Sequence, residues 1–242
     1  AYTSFVADTL SRFMRLDGRD VYFMTGTDEH GQKVAESAKA AGLSPQEFCD
    51  QMSKHFADMG DSFGFTNDVF SRTTSPSHKE GAIAFWNKLV ENGYIYKGSY
   101  AGWYAVRDEC FYSEDELVDG KAPTGADVAW VEEPSYFFKL SAFQDKLLKF
   151  YEDNPQCVLP KGRLNEVKRF VEGGLRDLSV SRSSFKWGIP VPGDPDHVMY
   201  VWVEALPVYL TSIGYPHVDQ PLFKNNWSQS LHLVGKDILR FH

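Results

Sequence analysis

Cysteine is scarce. The chain of 242 residues holds three, Cys49, Cys110 and Cys157, odd in number and far apart. That spacing argues against both a disulfide framework and a paired zinc knuckle, and it fits a reducing compartment. Positive charge is also in deficit, with 25 Lys and Arg against 33 Asp and Glu and a net charge of -8. There is no basic tail, so nothing favours broad nucleic-acid binding, although a local basic patch stays open. No apolar run approaches the roughly 18 residues that span a bilayer, and no membrane partner is expected. Ala1 to Phe13 reads neither as a signal peptide nor as a transit peptide. Internal repeats and low-complexity tracts are missing. What remains is 43% hydrophobic and 15% aromatic, enough for a real core in one large domain or two smaller ones.

Helix and strand signals alternate along the first stretch. Ala1 to Leu16 starts as though already inside a helix, with Phe5, Leu10 and Phe13 as apolar positions and no cap ahead of them, which reads as a truncated start. Asp17-Gly18 ends it. Val21 to Met24 has strand character, and a helix is expected from about Gly31 to Ala41. Ser44-Pro45-Gln46-Glu47 is a capping box with proline at the first helical position, ahead of Phe48, Met52, Phe56 and Phe63. Pro76 opens a helix striped by Ala82, Phe85, Trp86, Leu89 and Val90 and closed by Asn92-Gly93. Such alternation predicts a parallel α/β sheet.

The texture then changes. Tyr94 to Tyr104 is rich in tyrosine and glycine, and Asp108 to Asp127 is acidic and turn-rich. Tyr136 to Leu140 is a strand candidate, Ser141 and Gln144 suggest a second capping box, and a helix is expected from about Lys161 to Glu172. From Leu178 the α/β texture resumes. Met199 to Trp202 is apolar, a helix is expected to about Ile213, and a strand at Leu231 to Val234 precedes Gly235-Lys236-Asp237 and a further helix. A sheet-forming unit is thus interrupted by an insertion over roughly residues 95–178. Ligands of such sheets sit at the carboxyl ends of the strands, where Thr25 to Gly31 and Gly235 to His242 stand.

Within Thr25-Gly26-Thr27-Asp28-Glu29-His30-Gly31, Asp28 can either fix a cationic ammonium group or cap the following helix. His30 can act as base or ligand, or bond the turn. Trp202, Ala205 and Tyr209 fall at helical spacing and share one face, either as a core stripe or as an aromatic wall suited to a soft thioether. Asp237 can hold a ribose, and Arg182 reads as a surface arginine or an anion contact.

Thr25 to Lys33 (TGTDEHGQK), Val201 to Leu206 (VWVEAL) and Val234 to His242 (VGKDILRFH) together resemble, in that order, signatures of methionyl-tRNA synthetases. The resemblance extends to Asn92-Gly93-Tyr94-Ile95-Tyr96 and Gly102-Trp103-Tyr104. Leucyl, isoleucyl and valyl enzymes share the class I architecture but differ in the first turn. The resemblance implies an α/β fold with a Rossmann-type parallel-sheet nucleotide-binding domain (1–94 and 179–242) split by an inserted α+β connective domain (95–178). It implies that Asp28 holds the methionine ammonium. Val201, Trp202, Ala205, Leu206, Tyr209, Ile238 and His242 would line the methionine side-chain pocket. Gly235 and Asp237 would meet the ATP ribose, and Arg182 would contact the substrate carboxylate or phosphates.

The implied reaction joins methionine to ATP, with Mg2+ on the phosphates, and then charges tRNA(Met). The implied location is the cytoplasm, or alternatively the mitochondrial matrix. Class I enzymes also carry a His-Ile-Gly-His-type element, expected just ahead of Ala1, and a Lys-Met-Ser-Lys-Ser-type loop, expected beyond His242. Neither occurs in these 242 residues, so the stretch alone is expected not to form adenylate, and a non-catalytic binding role is the rival. Many relatives hold a cysteine-ligated zinc in the insertion. Here Tyr104-Ala105 and a lone Cys110 stand in that region, so no structural zinc is expected.

Overall fold

The computed structural model describes residues 2–242, apart from the side chains of Tyr100 and Glu133. It opens with α1 (Tyr2–Leu16), β1 (Met24–Thr27), α2 (Gln32–Ala40), α3 (Pro45–Phe63), β2 (Val69–Arg72) and α4 (Pro76–Glu91). β1 and β2 pair in parallel, with Gly26 opposite Ser71. A side chain at Gly26 would run into the Ser71 backbone, so glycine is the residue that admits this close approach. The strand sits three residues later than the sequence suggests. Thr25, Gly26 and Thr27 are strand residues, and the turn proper is Asp28 to Gly31.

The helix signals fare unevenly. Ser44 caps α3 through a complete capping box with Glu47, and Gly64 closes that helix in the left-handed conformation. Ser75 caps α4. In α1, Phe5 packs edge-on against Phe63 and Phe65, but Phe13 is exposed. The helix is held instead by polar contacts: Asp8 accepts from Thr66, and Arg15 reaches Asp68. Ala1 lies outside the described residues.

A four-stranded antiparallel sheet follows, in the order β4-β3-β5-β6: β3 (Ile95–Ala105), β4 (Cys110–Tyr112), β5 (Ala129–Phe138) and β6 (Leu178–Ser179). α5 (Gln144–Asp153) and α6 (Lys161–Glu172) lie between β5 and β6. The expected capping box at Ser141 and Gln144 does not form. Ser141 donates to Asp177, and Gln144 accepts from the Leu175 backbone N–H. Both side chains tie the helical pair to the segment leading into β6.

β7 (Ser181–Arg182), β8 (Pro190–Val191) and β9 (Asp194–Met199) form a small antiparallel sheet in the order β7-β9-β8. One core joins the pieces: Ala82 and Trp86 of α4 pack with Ile95, Val180, Ile189, Val191 and Met199. The antiparallel sheet is therefore rooted against the same helix that follows β2.

The chain ends in short helices, α7 (Val201–Ala205), α8 (Val208–Thr211) and α9 (Pro221–Asn226). The continuous helix expected to Ile213 is broken after Ala205, with Pro207 preceding α8, because proline lacks an N–H and cannot extend a preceding turn. The strand expected at Leu231 to Val234 is irregular, and the helix expected after it is a tight 3₁₀ turn over Lys236–Phe241. Among the described residues no helix is long and apolar enough to cross a membrane.

Candidate active site

Two segments approach each other at the end of β1. One is the turn Asp28 to Gly31. The other is α7, five residues long, carrying Trp202 on one side and Glu204 on another. Helices this short have no independent stability, so their orientation comes from tertiary anchors. The anchor here is Glu204, which is 0% exposed. Its carboxylate lies 3.1 Å from His30 Nδ1 and 3.3 Å from His78 Nε2. His78 Nδ1 is in turn 2.9 Å from Thr211 Oγ1 on α8. Turn, α4, α7 and α8 are thus joined through one buried acid. The His30 side chain bonds to α7, while its backbone N–H bonds Asp28 within the turn.

Asp28 does not cap α2, whose N-cap is Gly31 with no side-chain bond. That position is served from the insertion: Glu109 accepts from the Lys33 N–H at 2.9 Å, beside the negative charge-favouring start of the helix. Asp28 instead accepts from the backbone N–H groups of Glu29 and His30. Its side chain is open to solvent yet crowded by protein, the situation of a group on the floor of a recess. That crowding, with the charges of Glu204 and Glu109 nearby, pushes its carboxyl up to about 8. A carboxyl so placed gains its counter-charge from whatever cation enters.

The neighbouring Glu29 serves structure. It receives Arg72 through both oxygens at 2.7 and 2.9 Å and also bonds Thr27 and Thr74. Its backbone carbonyl accepts from Trp187 Nε1 at 2.7 Å. The turn is therefore held from outside by Arg72, Thr73, Thr74, Trp187 and Glu204.

The opposite wall is aromatic. Trp202 stacks on Phe241 with ring centres 4.4 Å apart and meets His242 edge-on at 6.1 Å. Tyr209 Oη is 2.7 Å from His242 Nε2, and its ring packs against His232 at 4.4 Å. Despite the break at Pro207, Trp202 and Tyr209 meet the same 3₁₀ segment. Ile238 is half-buried, and its carbonyl lies 3.0 Å from His242 Nδ1. Ala205 and Leu206 are half-buried, and Val201 is buried. Gly235 and Asp237 lie exposed at the rim, with Lys236 3.7 Å from Asp237.

Arg182 stands apart from this wall. It is not a surface residue, being 3% exposed. Its guanidinium lies 4.3 Å from the Tyr200 ring, 5.1 Å from Phe111 and 5.6 Å from Tyr104, and it donates to Ser179 and Ser181. Tyr200 Oη donates to the Glu109 carbonyl, so Arg182 braces the loop that caps α2.

Glu204, His78, Phe241 and Glu109 carry roles that the motifs alone did not assign. Glu204 left one signal, a single acid inside the apolar run VWVEAL, since a buried carboxylate must find partners. His78 left none.

A carboxylate on one segment and stacked aromatics on the helix tied to it suit a ligand with a cationic pole and an apolar, polarisable tail. Comparison with known proteins agrees. The family described as "tRNA synthetases class I (M)" matches residues 1–129 and 116–242. The chain belongs to that family, whose class I members are built on a Rossmann-type α/β core. It is 55% identical to the methionine–tRNA ligase of Rickettsia felis over all of its own length and 47% of the relative's. It is 50% identical to that of Brucella suis over 48% of the relative's length. Among solved structures, Mycobacterium tuberculosis methionyl-tRNA synthetase bound by methionyl-adenylate matches with a TM-score of 0.96 at 50% identity, covering all of this chain and 49% of that one. The chain spans about half the length of the relatives it matches.

Proposed function

We propose that this chain forms the methionine-activating part of a methionine–tRNA ligase. One observation carries the assignment: His30, two residues after Asp28, holds Glu204 of α7, which ties the Asp28 turn to the helix that carries Trp202 of the Trp202–Phe241–His242–Tyr209 cluster. Asp28 takes the ammonium of methionine. Trp202, Tyr209, His242 and Ile238, with Val201, Ala205 and Leu206 behind them, take the thioether chain. The methionine carboxylate then attacks the α-phosphate of magnesium-bound ATP. A carboxylate-oxygen to phosphorus bond forms, the bridge to the β-phosphate breaks, and pyrophosphate leaves. Transfer to the terminal adenosine of tRNA(Met) follows.

Such chemistry needs positioning and charge stabilisation more than side-chain acid–base work. Gly235 and Asp237 at the rim suit the ATP ribose, and Arg182 supplies a fixed positive charge from beneath. Residues 95–178 act as an inserted domain between the two catalytic portions, and the protein works in the cytoplasm. Methionine-dependent pyrophosphate exchange in the full-length protein tests the proposal. Equal exchange with leucine or isoleucine would indicate another class I specificity. Methionine binding without exchange would indicate a binding module.

A further inference from the structure

Taking the methionine site proposed above as given, we infer that Glu204, clamped between His30 and His78, is a positioning residue that sets the register between the ammonium-binding turn and the aromatic wall. Glu204 and Trp202 sit two residues apart on a helix of one turn and a half. Whatever fixes the rotation of that helix fixes where the indole stands. Val203 packs on the core and Trp202 on Phe241, and the side-chain hydrogen bonds that fix the helix converge on one carboxylate. His30, two residues from Asp28, holds one oxygen, and His78 of α4 holds the other. A carboxylate only accepts, so each ring nitrogen facing it carries the hydrogen.

The outer end of the clamp is equally tight. His78 meets Thr211, and α4 comes so close to α8 that a side chain at Gly81 would strike Thr211. The two recognition elements thus share a rigid strut, the arrangement by which buried hydrogen-bonded side chains hold a site to sub-ångström tolerance. The same acid acts on Asp28 at a distance. The groups facing Asp28 are Glu204 from α7, Glu109 from the insertion loop, and the backbone N–H groups of Glu29 and His30, with Cys49 of α3 nearby. Both acids oppose ionisation of Asp28, and the backbone groups favour it.

The test uses Glu204→Gln, Glu204→Ala and His78→Gln in the full-length protein, with methionine and norleucine titrated by calorimetry across pH. Glutamine keeps one acceptor and one donor, so Glu204→Gln should fold and hold its geometry once the histidine facing the amide N–H takes the other tautomer. The rise of methionine affinity with pH, which should level off above the free Asp28 carboxyl at about 8, should level off at lower pH. Glu204→Ala and His78→Gln should weaken methionine on the order of ten- to a hundred-fold. They should also narrow the preference over norleucine and leave the KM for ATP in place. Folded Glu204→Gln with an unmoved pH profile, together with unchanged methionine preference in folded His78→Gln, would overturn the inference alone. Failure of the unmodified protein to bind methionine would overturn the proposed function and this inference with it.

Discussion

Asp28 carries the sharpest consequences at the scale of single residues. Its folded-state carboxyl is raised to about 8 from an ordinary value of 3.8. A raised acid contributes stability that is fully present below the unfolded value and is lost as pH rises through the folded one. The ligand-free protein should therefore lose thermal stability between about pH 4 and pH 8, and Asp28→Asn should flatten that decline. Melting curves across the range check this, and an unchanged slope in Asp28→Asn would contradict it. Ammonium binding requires the ionised carboxylate, so methionine affinity should climb over the same interval and a proton should be released near neutrality. Trp202 differs, since in the proposed site it meets the side chain alone. Trp202→Ala should weaken methionine and erode its preference over other apolar amino acids, because such pockets discriminate by only about 1 to 3 kcal/mol per methylene. If Trp202 were only core, its loss would cost roughly 3 to 5 kcal/mol in stability and leave the preference unaltered.

Among elements, the most exacting demand is made by the β1–β2 pair. Gly26→Ala would set a methyl group against the Ser71 backbone, and overpacking of this kind costs about 1 to 3 kcal/mol. Denaturant unfolding should show the loss along with weaker methionine binding, because β1 delivers Asp28. Ser44→Ala removes half of a capping box and should cost about 1 kcal/mol with no effect on binding. That contrast separates scaffold from site. Elements were legible where their signals are local: Ser44 to Glu47, the α4 stripe (except Val90, which is exposed while Ile83 packs on the core) and the Gly93 stop are each contained within a few residues. The misreadings have equally specific causes. Pro207 broke a helix that apolar periodicity alone would continue. Leu231 to Val234 has the apolar character of a strand, but a ladder needs a partner, and side-chain packing of His232 on Tyr209 holds that segment instead.

On the scale of the whole molecule, the proposed site draws on Asp28 after β1, Glu109 between β3 and β4, and the helices after β9. Asp28, Trp202 and His242 could be proposed from the sequence because each sits inside a contiguous motif. The strut behind them could not, since His78 and His30 lie 126 and 174 positions from Glu204. The insertion should bind no structural zinc. Cys110 is half-buried with its thiol pushed up by burial, whereas zinc of this type calls for four cysteine or histidine ligands in close pairs. Elemental analysis after dialysis checks the point, and about one zinc per chain would contradict it.

The central claim is that Asp28 and the Trp202 wall together recognise methionine. Calorimetric titration of methionine into folded Asp28→Ala tests it most directly. Loss of the charged partner should weaken binding by on the order of 1.5 to 3 kcal/mol, and should weaken norleucine equally, because both ligands present the same ammonium. Unchanged methionine affinity in a folded Asp28→Ala protein would contradict the account.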